Sequence, residues 1–246
     1  MLQEHSLYKG KVKIKFEDER HIFYDEKGKQ IPGVTSATGV VDKSGALMGW
    51  VAKMMGLYLL TEKEKGNGMI TEELVGKAKK EYRNLQKQAA DIGTEIHQWV
   101  SDWILGKKPE MPDNEKVVNG ITAFLRFQKE HNLKWVESEK VIYSKKHSYA
   151  GILDAVAKEG NKLVLIDFKS SSGIYEEMQF QVAGYEIAYE EETGKKIDKR
   201  IIIKFGKETG DFEVKELDNI EKDKKAFLAC LQLKNRLNEL KKNGDR

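Results

Sequence analysis

The stretch AGILDAVAKEGNKLVLIDFKSSSG, residues 150–173, decides how the chain is read. Two apolar runs, 150–157 and 162–168, flank KEGNK, whose composition is that of a tight turn. They are therefore expected to form an antiparallel pair of strands. Asp154 sits inside the first run. Asp167 ends the Leu-Val-Leu-Ile of the second, and Lys169 follows two residues later. An unpaired carboxylate in a core strand is costly, so two of them at strand positions call for a compensating charge or ligand.

Side chains alternate along a strand, so Asp167 and Lys169 share one side while Phe168 points to the other with Ile166 and Val164. The antiparallel pairing can bring Asp154 close to Asp167. Two carboxylates that close repel unless a cation lies between them. These strands offer only oxygen ligands, which favours a hard cation, Mg²⁺ or Mn²⁺, one ion or two. Taken alone, Asp-x-Lys is a common tripeptide and reads first as an exposed ion pair at a strand end, with Asp154 bonded to the backbone.

Outward from this hairpin, 134–144 reads as a further strand. A helix is expected at about 176–191, strands at 199–204 and 211–215, and a closing helix at about 218–241. Upstream, 11–31 alternates in polarity as a hairpin or meander. Residues 31–43 form a Gly/Ser/Thr connection, and a helix begins near Ser44, which can cap it. GNG at 66–68 breaks that helix, Thr71 with Glu72 and Glu73 opens another that runs to about Leu105, and 114–131 is amphipathic. The fold class is α/β: a mixed central β-sheet flanked by helices, with an N-terminal β-hairpin and helical arm. No linker divides the chain, so 1–246 reads as one domain, 1–132 the hairpin and arm and 133–246 the core.

Hydrophobic residues make up 39% of the 246 and charged residues 34%, enough for a core beneath a heavily charged surface. The first residues lack the apolar segment of a signal peptide, and MMGLYLL is too short to span a bilayer, so a cytoplasmic protein without membrane contact is expected. One cysteine, Cys230, excludes an intrachain disulfide and any Cys-based zinc or iron–sulfur site. The net charge of +3 permits nucleic-acid binding without arguing for it.

In DIGTEIHQWVSDWI, His97 lies beside the apolar stripe Ile92, Ile96, Val100 and Trp103. In EEMQFQVAGYEIAY, Gln181 and Tyr185 are i,i+4 on a helix that must pack near the end of the Asp167 strand. Each is unremarkable alone. As a series, GTEIH, Gly151-Ile-Leu-Asp154, Asp167-Phe-Lys169 and Gln181-x-x-x-Tyr185 resemble, in order and spacing, the RecB-type branch of the PD-(D/E)XK nucleases. IPGVTSATGVVDKSGALMGWVAK, 31–53, is similar to the front of phage and prophage members, where a P-S-V-T run precedes a tryptophan-bearing helix. Gly33 stands where the serine is usual. Leu153 replaces the literal proline before Asp154, a departure that branch tolerates. Its iron–sulfur subgroup carries four cysteines and is excluded.

The resemblance implies roles. His97, Asp154 and Asp167, with the backbone carbonyl of Phe168, would bind metal. Lys169 would lie beside the scissile phosphate and the attacking water. Gln181 and Tyr185 would shape the site and contact DNA. Glu139, on the strand before Asp154, is a lesser candidate, read equally well as a solvated strand glutamate. From composition, KAKKEYRNLQK offers Lys77, Lys80 and Arg83 as a surface tracking a DNA backbone, or as an ordinary solvated helix face. The expected activity is a metal-dependent DNA exonuclease of phage type, acting with recombination or replication proteins. The alternatives are an endonuclease or structure-specific nuclease of the same fold, and a nucleic-acid-binding module that no longer cleaves.

Overall fold

The computed structural model describes residues 2–65 and 69–244, so the expected break at GNG lies outside the described residues. The chain divides into two compact units, Met1–Val41 with Ile96–Arg246, and Asp42–Glu95.

In the first unit, β1 (Leu2–Leu7), β2 (Val12–Glu17), β3 (Ile22–Tyr24) and β4 (Gln30–Ile31) form an antiparallel meander in chain order. This is more sheet than a hairpin, because Leu2–Leu7 pairs along the whole of β2; its polar LQEHSL hides the alternation. A five-residue helix, α1 (Val34–Thr38), occupies the Gly/Ser/Thr stretch expected to be a connection. After α4 (Glu115–Glu130) come β5 (Leu133–Ser144), β6 (Tyr149–Glu159), β7 (Lys162–Lys169), α5 (Glu176–Thr193), β8 (Lys199–Phe205), β9 (Phe212–Glu216) and α6 (Ile220–Gly244). The five strands form one sheet in chain order. It is antiparallel except for β7 and β8, which run parallel because α5 crosses between them. The fold class is thus α/β with a mixed central sheet. The turn between β6 and β7 is made by Gly160 at φ +61°, in the left-handed region where glycine carries no steric penalty.

The second unit holds α2 (Ser44–Glu64) and the first two-thirds of α3 (Glu72–Ile104). Thr71 caps α3 as expected, its Oγ1 accepting from Leu74 N at 3.2 Å. Ser44 does not cap α2: the carboxylate of Asp42 accepts from Ser44 N at 2.8 Å instead. Trp50 meets Tyr82 edge to face, with ring centres 6.4 Å apart. No helix among the described residues is long and apolar enough to cross a membrane.

Both faces of the central sheet are covered. Leu153, Leu165 and Ile202 pack with Val182, Tyr185 and Tyr189 of α5 and with Phe227 of α6. On the other face Phe168 lies against Phe205 and Phe124, ring centres 5.4 and 6.0 Å away. α3 docks on α4 where Gly120 leaves a notch: a Cβ there would stand 2.3 Å from Ile96 Cδ1. That contact seats the residue next to His97.

Arg200, fully buried on β8, ties the layers together. Its Nε lies 3.1 Å from Glu186 of α5 and its Nη2 3.5 Å from Asp223 of α6, while Lys224 reaches Glu186 at 2.8 Å.

The N-terminal segment joins this sheet at Ala150, next to Gly151. Pro32 O accepts from Ala150 N at 3.0 Å, and Gly33 bridges Ala150 in parallel. A Cβ at Gly151 would meet Val34 Cγ2 at 2.9 Å and Tyr185 Cε1 at 3.0 Å, from α1 and α5 respectively. Gly151→Ala should therefore destabilise the protein by about 1–3 kcal/mol, although removing a strand glycine usually helps. Urea denaturation monitored by circular dichroism checks this. An alanine variant as stable as the parent would mean the three elements are not in tight contact at this glycine.

Candidate active site

The site forms where the sheet forks. β5 and β6 pair at Ser138 with Ala155 and at Lys140 with Leu153, so Glu139 and Asp154 fall opposite each other but drop out of the pairing. β6 and β7 pair as far as Ala155 with Ile166, and one further step would set Asp154 opposite Asp167. Asp154 thus stands where β6 parts from β7 and skips one pair with β5. Its Oδ2 accepts from Phe168 N at 2.6 Å, so the side chain takes over the amide that the ladder abandons. Glu139 has φ +47°, a strained backbone conformation for a residue with a Cβ.

Asp167 is 1% exposed. Lys169 Nζ lies 2.5 Å from its Oδ2, while Oδ1 is buried with no hydrogen-bond partner among the described residues. His97, on the last turns of α3, stands edge-on to Phe168, ring centres 6.2 Å apart, with Nδ1 3.7 Å from Asp154 Oδ1. One ligand atom each from His97, Glu139 and Asp154 come within 4.8 Å of one another; Asp167 lies outside that group. Three sequence candidates, His97, Asp154 and Glu139, are therefore gathered, and Asp167 with Lys169 adjoins them through the fork. Glu139, the lesser candidate, belongs to the tightest donor set. Two oxygens and an imidazole suit a divalent cation, and the orphaned Oδ1 of Asp167 is an acceptor in want of a partner.

Burial pushes the Asp167 carboxyl up to about 6, against the pull of Lys169 and with the help of the Asp154 charge. Burial and Asp154 also raise Glu139, to about 7, although the residue as a whole is exposed and solvent screens part of that effect. Burial would raise Asp154 too, but His97 and Lys169 outweigh it and hold it below the usual carboxylate range. Burial alone would lower His97 and Lys169; their carboxylate neighbours keep both above their ordinary values.

Gln181 and Tyr185 are brought together as expected: Gln181 Nε2 donates to Tyr185 Oη at 2.7 Å. Burial, then the charges of Asp167 and Asp154, keep the proton on the Tyr185 phenol. Two neighbours were missed in the sequence. Thr35 Oγ1 accepts from Gln181 Nε2 at 3.3 Å, which links the Pro-Gly-Val-Thr run to the site. Glu177, buried, acts electrostatically on Lys169, and its i,i+4,i+8 spacing with Gln181 and Tyr185 was the available signal. The backbone of Phe168 sits at the fork, with its N–H spent on Asp154. Lys77, Lys80 and Arg83 are exposed and belong to the other unit, Lys77 paired with Glu73 at 2.8 Å.

No model of a known family matches the sequence, and no curated protein does. Among solved structures, an alkaline exonuclease from Laribacter hongkongensis, LHK-Exo, is 14% identical over 64% of this chain and 93% of its own, with a TM-score of 0.32. The same exonuclease in complex with dAMP is 14% identical over 88% and 95%, with a TM-score of 0.38. SSO0001 is 16% identical over 75% and 86%, with a TM-score of 0.32. At such identities and scores these likenesses carry no chemistry to this chain. Its resemblance to the PD-(D/E)XK nucleases lies in the motif series and in the mixed sheet that brings the motifs together.

Asp167 generates a test without metal. Its carboxyl titrates near 6 in the fold and near its ordinary 3.8 in the unfolded chain. The unfolded chain therefore loses the proton first as pH rises, and stability is withdrawn across the window from about 4 to 6. Asp167→Asn keeps the position neutral and leaves Lys169 the charge of Asp154. In EDTA at pH 8 this variant should be more stable than the parent by on the order of 1–3 kcal/mol, the gain vanishing near pH 4. Melting curves of both proteins from pH 4 to 8 decide it, and equal melting at pH 8 contradicts the account.

Proposed function

We propose that the protein is a divalent-metal-dependent DNA exonuclease, hydrolysing phosphodiester bonds from a free end. The observation that carries this reading is the fork itself. Two carboxylates face each other across parted strands, a lysine lies 2.5 Å from one and a histidine 3.7 Å from the other. A packed structural ion pair needs no parted strands.

His97, Glu139 and Asp154 would hold the ion, with Asp167 and the Phe168 carbonyl completing its surroundings. The chemistry a bound Mg²⁺ or Mn²⁺ supplies is Lewis-acid stabilisation of the charge that grows on the scissile phosphate. Lys169, kept protonated by Asp167 and Asp154, can donate to a phosphate oxygen or orient the attacking water. The Tyr185 hydroxyl, which accepts from Gln181, keeps its own hydrogen to donate to a phosphate oxygen, and the Gln181 amide oxygen can accept from a base edge. Lys77, Lys80 and Arg83 are assigned to backbone contact on charge alone, and contacts of that kind carry no sequence information. By motif resemblance, the setting is the cytoplasm of a phage-infected or prophage-bearing host, in DNA recombination, replication or processing.

End-labelled single- and double-stranded DNA incubated with Mg²⁺, Mn²⁺ or EDTA tests the reading. Products shortened from an end, dependence on metal and survival of covalently closed circles are expected. Cleavage undiminished by EDTA after metal stripping would sink it, and rapid nicking of closed circles would assign an endonuclease instead. Lys169→Ala should lower kcat by about 10²–10³ and leave DNA affinity nearly unchanged, because its charge matters most where charge develops. A raised KM with unchanged kcat would reassign the lysine to plain binding.

A further inference from the structure

A second cleft in the same unit lies on the far side of α1. It encloses about 720 Å³ between the β3–β4 segment, residues 32–36 and the last turns of α6. Four cationic side chains line it, Arg20, Lys29, Lys234 and Lys241, against one carboxylate, Glu239. Glu239 is already engaged by Arg236 at 3.1 Å. Among the described residues Lys29, Lys234 and Lys241 have no carboxylate within ion-pair distance, and Arg20 has only a long contact of 3.7 Å to Glu17. A chain of net charge +3 thus collects a comparable surplus in one groove. Such a surplus is self-repelling and is relieved by an anion.

The spacing says which kind. Lys234 and Lys241 are seven residues apart on one helix, about 10 Å along its axis, and Lys29 and Arg20 face them from another element. One compact phosphate cannot reach them all; an extended chain of phosphates can. Between the cations lie neutral hydrogen-bonding groups, Asn235 and Asn238. His21, exposed and edge-on to Phe16, offers a flat ring for a base to stack on. Position supplies the link to the site: Gly33 and Ser36 line the cleft, while Thr35 between them bonds to Gln181. Residues of α1 thus border both.

We propose that this cleft is a track for the sugar–phosphate backbone of single-stranded nucleic acid, holding the strand beyond the residues that occupy the cleavage site. The choice of ligand rests on the nuclease reading; the cleft's charge does not.

The test measures binding in EDTA, where no metal-dependent cleavage intervenes. Fluorescein-labelled oligothymidylate of about 20 nucleotides is titrated by fluorescence anisotropy over a range of salt. The triple variant Lys29→Glu, Lys234→Glu, Lys241→Glu, whose positions are exposed or half-exposed, should keep the parent's melting temperature. It should bind at least about tenfold more weakly, with a salt slope reduced by about 2, from three lost phosphate contacts. In the presence of metal its KM should rise for long substrates and stay unchanged for oligonucleotides of a few nucleotides, which fill only the cleavage site. Unchanged affinity and slope in the triple variant overturn the proposal, as does a parent protein that binds no oligonucleotide. Loss of binding to phosphatidylserine vesicles alone, with oligonucleotide binding intact, would assign the cleft to an anionic membrane surface and overturn it too. A parent that binds through the cleft but never cleaves removes the nuclease reading and leaves the cleft standing.

Discussion

The site depends on a break in the hydrogen-bond ladder at Asp154. A continuous sheet would pair its residues backbone to backbone, direct Asp154 and Asp167 into packed surroundings and leave no opening between the strands. Here β6 parts from β7 and skips one pair with β5, and the Asp154 carboxylate takes the Phe168 amide that the parting frees. That bond repairs the backbone on one side of the gap. It also orients Asp154 so that its second oxygen faces His97 and Glu139. The positive φ of Glu139 belongs to the same break, since an ordinary strand conformation would continue the pairing and turn the side chain elsewhere. Strain at Glu139, a buried carboxylate at Asp167 and a lost stretch of ladder all oppose folding, and the apolar layers on either side must offset them.

Close contact, besides the Arg200 network, holds those layers in register. Gly151 lets Val34 and Tyr185 converge on one strand position, so the segment before the helical unit, the central sheet and α5 share a single point of contact. Thr35, next to Val34, then reaches Gln181, and Gln181 reaches Tyr185. The Pro-Gly-Val-Thr run and the Gly-x-x-Asp run, more than a hundred residues apart, are thereby parts of one assembly. Gly120 plays the same part on the other face, where its missing Cβ admits Ile96 and so fixes the turn of α3 that carries His97.

These contacts also explain what could be read in the sequence. The hairpin at 150–168 and the crossover helix were legible because local periodicity carries them, whereas the series His97, Asp154, Asp167, Lys169, Gln181 and Tyr185 could be picked out only through its resemblance to the PD-(D/E)XK nucleases. The outer strand at Leu2–Leu7 was not. Its side chains are largely exposed, so no alternation marks it, and only its partner reveals it. Ser44 looked like a cap by residue type, yet it lies inside the first turn of α2, and its own N–H is taken by the carboxylate of Asp42, two residues earlier. Glu139 stayed ambiguous because its placement depends on a backbone of positive φ, and no property of a single glutamate in a strand announces one. Arg200 is the same kind of case. In KRIIIKF it reads as a strand-end cation, and its full burial follows from Glu186 and Asp223 arriving from two helices.

Set side by side, two charge clusters on the central sheet differ in how far their charges are matched. Around Arg200 the carboxylates are matched: Glu186 lies 3.1 Å from Arg200 and 2.8 Å from Lys224, and Asp223 lies 3.5 Å from Arg200. Its members come from β8, α5 and α6, so the network fastens layers, with each carboxylate in ion-pair contact although Glu186 Oε2 and Asp223 Oδ2 lack a hydrogen-bond partner among the described residues. Around Asp154 the balance fails. Three carboxylates, Glu139, Asp154 and Asp167, face one lysine and one histidine. Glu139 has no cation within 4.0 Å among the described residues, and one oxygen of Asp167 has no partner. Both clusters sit against the same sheet, so burial alone does not separate them. Separation comes from unmatched negative charge at a place where the strands have parted, which a divalent cation and the phosphate it attracts would relieve together.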